Sequence, residues 1–332
     1  MQKGGKIFRR TLRKRRIDIL KNTLQWEGKS MKKMYGVNTP ISCPMTKEGE
    51  VDYNGLKRLC NYLIEKGIHG LYPNGSTGEM CYLTLEERKK VLECVLQAAN
   101  GRVQVFSMVG ALTTKDTIEL AKHAEKAGAD GIGVVTPYYF KLDDEELLQY
   151  YKDVSTSVSE DFSIYLYGIP QLAVNDITPE LAERIAQSCP NVVGIKYSYP
   201  DMPRLLKFMD VKNRTFSVLA GPDDLFFALL ASGGDGTISG NSNVIPEHYV
   251  AIYNAYKEGN YELAAKIQAK VNRLIAYISG PNNMSRYKVG LKHRGIIDCA
   301  AVRKPLRNIT EEEEKEYLTA IEKLDYMDVT KL

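Results

Sequence analysis

Lys196 is the residue of this chain whose position is most unusual for its chemistry. It ends the run Val-Val-Gly-Ile at 192–195, and Tyr197 and Ser198 follow it. Burial at such a position disfavours the charged form of a lysine and frees a nucleophilic amine. The amine can attack a ketone to form a Schiff base, which draws electrons from a neighbouring carbon–carbon bond. The long stem of a lysine can also extend to solvent, and the run alone leaves both possibilities open.

The segments around Lys196 predict the scaffold that positions it. From residue 35 onward, short apolar or β-branched runs alternate with amphipathic segments of helical period. Strands separated by helices indicate right-handed crossovers and a parallel sheet, and eight strands close a barrel. The fold class predicted is α/β, a (β/α)8 TIM barrel over 35–258 with a C-terminal helical region over 259–332. The predicted strands are 36–43, 69–74, 103–109, 131–136, 162–168, 192–197, 215–220 and 236–240.

Catalytic residues of such a barrel collect where its strands end. The sequence places there one lysine, several tyrosines and hydroxyl residues and two aspartates, with no histidine or cysteine nucleophile. This set favours amine chemistry in which tyrosine and serine or threonine relay protons. Some of the tyrosines can instead be wall residues of the barrel. The candidates are Ser76 and Thr77 after strand 2, Tyr139 after strand 4, Tyr167 in strand 5, Lys196 and Ser198 at strand 6, and Gly221, Asp223 and Asp224 after strand 7.

Histidine and cysteine are too scattered to indicate a metal site. The four histidines share no short motif, and none of the six cysteines forms a Cys-x-x-Cys pair. No G-x-G-x-x-G run occurs, so a dinucleotide fingerprint is absent. We therefore expect no metal, no dissociable cofactor and reduced cysteines in a cytoplasmic protein. No apolar run approaches the roughly 18–20 residues of a membrane span, and we expect no membrane partner.

The first 30 residues differ in charge from the rest of the chain. They hold ten of the 45 lysines and arginines but only two of the 41 acids. Such a run can bind nucleic acid or a membrane surface, or can be a transit peptide. We favour a misassigned start, because Met31 opens a segment typical of a bacterial N-terminus. The remainder of the chain is acidic on balance. With a misassigned start the basic run is not translated, so no nucleic-acid partner is expected.

Six motifs in order make the chain resemble the dihydrodipicolinate synthase/N-acetylneuraminate lyase family of Schiff-base (class I) aldolases. The resemblance implies that Lys196 forms the Schiff base with pyruvate and that Tyr167 shuttles protons there. It implies that Ser76 and Thr77 bind the substrate carboxylate, and that Tyr139 completes a neighbouring subunit's site in a homotetramer. The motifs are G-S-T-G-E at 75–79, T-P-Y-Y at 136–139, Y-x-I-P at 167–170, G-I-K at 194–196, G-x-D-D at 221–224 and G-x-I-S at 236–239.

The departures from the family pattern bear on the second half of the substrate. Leu172 stands where the synthases carry an arginine for the carboxylate of aspartate semialdehyde, and sialate lyases commonly have leucine there. Ser198, Asp223 and Asp224 match positions that bind the polyol chain of a sugar acid, although the two aspartates can also be ordinary acids at a helix N-terminus. Gly240 replaces the serine of sialate lyases, and its surroundings are similar to 2-keto-3-deoxy-sugar-acid aldolases.

Two activities follow from the resemblance. The first is reversible cleavage of a 2-oxo (3-deoxy) sugar acid, such as N-acetylneuraminate or 2-keto-3-deoxygluconate, into pyruvate and an aldehyde. The alternative is condensation of pyruvate with aspartate semialdehyde by a 4-hydroxy-tetrahydrodipicolinate synthase. A silent pyruvate sensor is disfavoured, because both Lys196 and Tyr167 are present.

Overall fold

The strands of the protein lie in space in the order in which the sequence presents them. The computed structural model describes residues 31–280 and 282–332, so the basic segment 1–30 lies outside the described residues. Eight parallel strands form a closed barrel in which the first pairs with the eighth, which confirms the predicted TIM barrel. The strands are β1 (Gly36–Pro40), β2 (Gly70–Tyr72), β3 (Gln104–Met108), β4 (Gly131–Val135), β5 (Ser163–Gly168), β6 (Val192–Tyr197), β7 (Ser217–Ala220) and β8 (Gly236–Ile238).

One principal helix follows each strand, and three more helices form the C-terminal part of the described chain. The barrel helices are α1 (Tyr53–Glu65), α2 (Leu85–Ala99), α3 (Thr114–Ala127), α4 (Asp144–Ser155), α5 (Pro179–Ser188), α6 (Met202–Phe208), α7 (Phe226–Ala231) and α8 (Pro246–Lys257). The C-terminal helices are α9 (Tyr261–Ile278), α10 (Asn283–His293) and α11 (Glu311–Lys323).

Some predicted strands extend beyond the residues that pair in the barrel. The first was predicted over 36–43, but β1 ends at Pro40. Ile41 and Cys43 remain buried in the loop that follows, so the apolar pattern continues after strand pairing has stopped. The short helix Pro170–Ala173 was not predicted, because a single turn started by proline leaves no helical period in the sequence.

Alternate strand residues face opposite sides of the barrel wall. Leu71 and Ile195 join the apolar layer between the strands and the outer helices. Their neighbours Tyr72 and Lys196 face inward and approach each other, although β2 and β6 are not adjacent strands. Because side chains alternate along a strand, Lys196, which ends the apolar run in β6, points into the barrel interior.

The C-terminal helices pack against the side of the barrel at which the last strand ends. Helix α9 packs along α8, and α11 packs against α9. Helix α10 contacts α11 and the short turn Gly240–Asn243 that follows β8. Within the part of the chain that the structure describes, none of the helices combines the length and apolar character needed to cross a membrane.

Candidate active site

Lys196 and Tyr167 form the centre of the site. They are paired residues of the adjacent parallel strands β5 and β6. The Lys196 amine lies 4.1 Å from the centre of the Tyr167 ring. Lys196 is 6% exposed and Tyr167 is 2% exposed, so the lysine does not extend to solvent. Among the described residues no carboxylate lies within 4.0 Å of the amine to fix it as an ion pair.

The surroundings of Tyr167 favour loss of its proton. Burial alone raises the pKa of a phenol, because it disfavours the phenolate. Here the positive charge of Lys196 and hydrogen bonding with the hydroxyls of Ser76 and Ser198 outweigh burial, so the pKa of Tyr167 is lowered. A phenol with this environment can release and regain a proton beside the lysine nitrogen.

The turn after β2 brings two hydroxyl residues to the same place. Ser76 and Thr77 open a short 3₁₀ turn over Ser76–Gly78, and Thr77 is buried. The first N–H groups of such a turn have no acceptor within it, and successive free N–H groups form a nest that suits an anion. The contact of Ser76 with Tyr167 places this turn next to Lys196, as the sequence predicted.

Ser198 is the second hydroxyl residue beside Tyr167. Its backbone N–H donates to the Gly168 carbonyl at 2.8 Å, which holds it beside the end of β5. Gly221 makes this position possible, because a Cβ at residue 221 would lie 2.0 Å from Ser198 Oγ and 2.6 Å from Ser198 Cα. Ser198 and Gly221 are therefore one packing unit at the ends of β6 and β7.

A sequence model of the Dihydrodipicolinate synthetase family matches residues 33–324. The match covers the barrel and all three C-terminal helices. The chain belongs to this family. It is therefore a lyase or aldolase enzyme, and the family predicted from the six motifs is confirmed.

Relatives of the chain within the synthetase family differ in activity. A 4-hydroxy-tetrahydrodipicolinate synthase of Thermotoga petrophila is 36% identical over 79% of this chain and 90% of its own. An N-acetylneuraminate lyase of Mediterraneibacter gnavus is 34% identical over 86% of this chain and 90% of its own. The crystal structure of a prophage protein of the family from E. coli K12, in complex with pyruvate, has a TM-score of 0.85 and 31% identity, covering 89% of this chain and 100% of that chain.

The structure gives internal partners to one of the two aspartates predicted to bind substrate. The Asp223 carboxylate accepts hydrogen bonds from Tyr249 at 2.6 Å, from Asn241 at 2.7 Å and from Ser239. Burial raises the pKa of Asp223. This residue orders the ends of β7 and β8, whereas Asp224 beside it is exposed.

Two predicted residues of the family pattern lie on the surface of the protomer. Tyr139 is 78% exposed and Leu172 is 67% exposed. Tyr139 has a φ of 86°, which strains a residue other than glycine, and its ring packs edge-on against Phe140 with 5.0 Å between centres. Within one protomer the structure does not group these two residues with Lys196 and Tyr167.

Tyr72 forms the second aromatic wall of the site and was not predicted as a site residue from the sequence. Its ring centre lies 5.5 Å from the Lys196 amine. The hydroxyl is buried and has no hydrogen-bond partner among the described residues. Gly133 makes room for it, because a Cβ there would lie 1.7 Å from the Tyr72 hydroxyl. The signal in the sequence was its place at the end of β2, on the face that alternation directs inward.

Glu79, the last residue of the G-S-T-G-E motif, has partners within the protein. Its side chain is fully buried, and one carboxylate oxygen lies 2.5 Å from the amine of Lys288 in α10. Its second oxygen accepts a hydrogen bond from the Arg303 backbone. These contacts agree with a supporting role for Glu79 within the loop.

Proposed function

We propose that the enzyme reversibly cleaves a 2-oxo (3-deoxy) sugar acid, such as N-acetylneuraminate or 2-keto-3-deoxygluconate, into pyruvate and an aldehyde. The observation that carries this proposal is the buried Lys196 amine, which has no carboxylate within 4.0 Å among the described residues and lies 4.1 Å from the Tyr167 ring centre. A free amine beside a phenol of lowered pKa is suited to forming and hydrolysing an imine.

The proposed reaction starts at the C2 ketone of the sugar acid. Lys196 Nζ attacks this carbon, and loss of water, for which Tyr167 donates the proton, leaves a protonated imine and the phenolate of Tyr167. Tyr167 removes the proton of the C4 hydroxyl, the C3–C4 bond breaks, and its electron pair neutralises the imine to give an enamine and the aldehyde. Tyr167 then returns this proton to the enamine at C3, and hydrolysis of the resulting imine releases pyruvate, the neutral amine of Lys196 and a proton that restores the Tyr167 phenol. No metal or dissociable cofactor takes part in this scheme.

The turn with Ser76 and Thr77 is proposed to hold the carboxylate of the 2-oxo acid. Its free N–H groups offer an anion site beside Tyr167, and the nearby hydroxyls can donate further hydrogen bonds. Binding the carboxylate there would orient C2 toward the amine. Fixed orientation of reacting groups is itself a large part of catalysis.

Cleavage of a sugar acid is favoured over condensation with aspartate semialdehyde because residue 172 supplies no cation for the second carboxylate. Residue 172 is leucine, and its neighbour Gln171 donates to the Ser198 carbonyl at 2.7 Å. Arg204, near the same loop, is already paired with Asp176 and the Tyr197 hydroxyl. The polar groups of Ser198 and Asp224 suit the hydroxyls of a polyol chain better than a second carboxylate.

The synthase activity remains the alternative, since a synthase of T. petrophila is a relative at 36% identity. It requires the carboxylate of aspartate semialdehyde to bind without an arginine at residue 172. Turnover of pyruvate with this aldehyde, measured beside cleavage of sugar acids, distinguishes the two functions.

The enzyme is proposed to act as a homotetramer with pyruvate and an aldehyde as its small-molecule partners. Support comes from the apolar side chains exposed on the two loops after β4 and β5, which are Tyr139, Phe140, Leu172 and Val174. Exposed apolar patches of this kind are typical of subunit contacts. In such an assembly Tyr139 would reach a neighbouring site.

Borohydride reduction in the presence of pyruvate tests the Schiff base. We expect one reduced pyruvyl adduct on Lys196, identified by peptide mass spectrometry, and none in Lys196→Ala. Release of pyruvate from a panel of 2-oxo sugar acids then tests the substrate class. An adduct on another lysine, or no pyruvate from any sugar acid while the synthase reaction proceeds, would contradict the proposal.

A further inference from the structure

Glu79 closes the turn that carries Ser76 and Thr77. Its backbone N–H donates to the Ser76 carbonyl at 3.0 Å. Its φ is 60°, in the left-handed region, where a residue with a side chain is uncommon. A strained residue persists only when its surroundings hold it in place. The shape of the turn therefore depends on what fixes the Glu79 side chain.

The contacts that fix Glu79 come from the C-terminal region. Lys288 of α10 lies 2.5 Å from Glu79 Oε1, and neither side chain is exposed to solvent. Lys288 also donates to the Ala301 carbonyl at 2.7 Å. The other carboxylate oxygen, Oε2, accepts from the backbone N–H of Arg303 at 2.8 Å.

Arg303, in the same C-terminal segment, contacts residues that follow the turn. Its guanidinium donates to the Tyr82 carbonyl at 2.8 Å and to the Glu87 carboxylate at the start of α2. It also donates to the Gly49 carbonyl in the loop before α1. The segment therefore holds both the chain that follows the Ser76–Thr77 turn and the loop before α1.

A fully buried ion pair is a poor means of stabilising a fold. The cost of removing both charges from water commonly cancels their attraction, and replacing both partners together is often neutral. A buried pair instead fixes geometry, because neither charge can move without losing the other. The Glu79–Lys288 pair lies directly beside the turn with Ser76 and Thr77, so the geometry that it fixes is that of this turn.

We propose that Glu79 and Lys288 are positioning residues that hold Ser76 and Thr77 in the arrangement that binds the carboxylate of pyruvate. The inference rests on the proposed function, since it concerns the same site. It assigns to the C-terminal helical region a role in substrate binding. Lys288 acts through Glu79 and does not itself touch the substrate.

The double variant Glu79→Gln/Lys288→Met tests this inference, because it removes the pair without leaving one charge buried alone. The readout is the pyruvate concentration that gives half-maximal borohydride trapping on Lys196. We expect this concentration to rise about tenfold, which corresponds to about 1.4 kcal/mol of binding free energy. The fraction trapped at saturating pyruvate should remain that of the unchanged protein, because Lys196 and Tyr167 are untouched.

A matched control uses a second ion pair between the C-terminal region and the barrel. Arg294, which follows α10, pairs with Glu247 of α8 at 2.9 Å and does not contact the turn. The double variant Glu247→Gln/Arg294→Met should leave the half-saturating pyruvate concentration within about twofold. Thermal unfolding shows whether the variants fold. It is measured for both double variants and for Glu79→Gln alone, in which Lys288 keeps its hydrogen bond to the Ala301 carbonyl.

Each outcome decides the inference. A folded Glu79→Gln/Lys288→Met protein with unchanged pyruvate dependence would refute it, as would an equal shift in the control pair. Failure of both Glu79 variants to fold would make the pair a folding determinant and would also refute it. Absence of trapping in the unchanged protein would instead contradict the proposed function itself.

Discussion

Tyr167 and Lys196 are paired across adjacent strands, with the lysine amine 4.1 Å from the centre of the tyrosine ring. Strand pairing fixes this relationship, because both residues lie in backbone that neighbouring strands hold on each side. The amine and the phenol therefore need little rearrangement to exchange a proton.

We expect Tyr167→Phe to lower kcat for pyruvate release by about 10²- to 10⁴-fold, the usual contribution of a positioned acid–base group. The ring beside Lys196 is kept, so binding of pyruvate should change less than kcat. Steady-state kinetics with a cleaved sugar acid measure both. The control is Tyr165→Phe in the same strand, whose hydroxyl accepts from the Met34 backbone, and its kcat should be unchanged. Equal losses in the two variants would argue against a proton-transfer role.

The lowered pKa of Tyr167 predicts an early alkaline limit of activity. A proton-donating phenol is converted to the phenolate as the pH rises through its pKa, and it can then no longer donate. As the pH rises, activity should therefore begin to fall before the pH reaches about 10, the ordinary pKa of tyrosine. Ultraviolet difference spectra should show one tyrosinate forming before the others, and this early step should be missing in Tyr167→Phe. Its persistence in that variant would assign it to another tyrosine.

The ring of Tyr72 should matter more than its hydroxyl. Tyr72→Phe keeps the aromatic face near Lys196 and removes a buried hydroxyl without a partner among the described residues, so we expect trapping with pyruvate close to normal. Tyr72→Leu should lower the rate of trapping by about 2- to 30-fold, because the protonated imine formed on Lys196 is a cation, and an aromatic ring beside a cation contributes about 0.5–2 kcal/mol. Phe106→Leu, another inward aromatic residue, is the control. A larger loss in Tyr72→Phe than in Tyr72→Leu would reverse this assignment.

Leu172→Arg should shift the enzyme toward the synthase reaction. An added guanidinium could bind the carboxylate of aspartate semialdehyde, and a hydrogen bond to a charged group is worth about 1.5–3 kcal/mol, or roughly 10- to 150-fold in kcat/KM. Because Leu172 is exposed, stability should change little. Val174→Arg places the same charge on the same loop and should have no such effect. The prediction fails if both variants use aspartate semialdehyde equally well.

Complementation between subunits should reveal whether Tyr139 acts in a neighbouring site. Tyr139→Phe and Lys196→Ala should each be inactive alone, yet their co-expression should restore activity. A mixed assembly would contain sites with Lys196 from one chain and Tyr139 from the other. Native mass spectrometry verifies that mixed assemblies form. Mixed assemblies without activity would show that Tyr139 does not complete the site of another subunit.

The sequence was sufficient to predict the barrel and the strand ends that surround Lys196. Alternation of apolar and polar residues is a local property, and so is the end of a strand. Ser76, Tyr167, Lys196 and Ser198 could therefore be assigned to one site before any contact was known. The structure places them together around the Tyr167 hydroxyl.

Contacts between distant segments could not be predicted in the same way. Nothing near Lys288 in the chain indicates that it meets Glu79, because their approach depends on how α10 packs on the finished barrel. The hydrogen bonds that Asp223 accepts from Asn241 and Tyr249 also require β7, β8 and α8 to be in place. Tyr72 was overlooked because an inward tyrosine resembles any other core residue until its neighbour is known.

The buried pair of Glu79 and Lys288 also bears on the order in which the protein is synthesised. All eight strands precede Lys288 in the chain, so a ribosome completes the barrel sequence before it adds the partner of Glu79. Until then Glu79 lacks the counter-charge that Lys288 supplies in the finished structure. We therefore expect the turn with Ser76 and Thr77 to reach its final form only after α10 has emerged, which makes catalytic competence one of the last properties that the growing chain acquires.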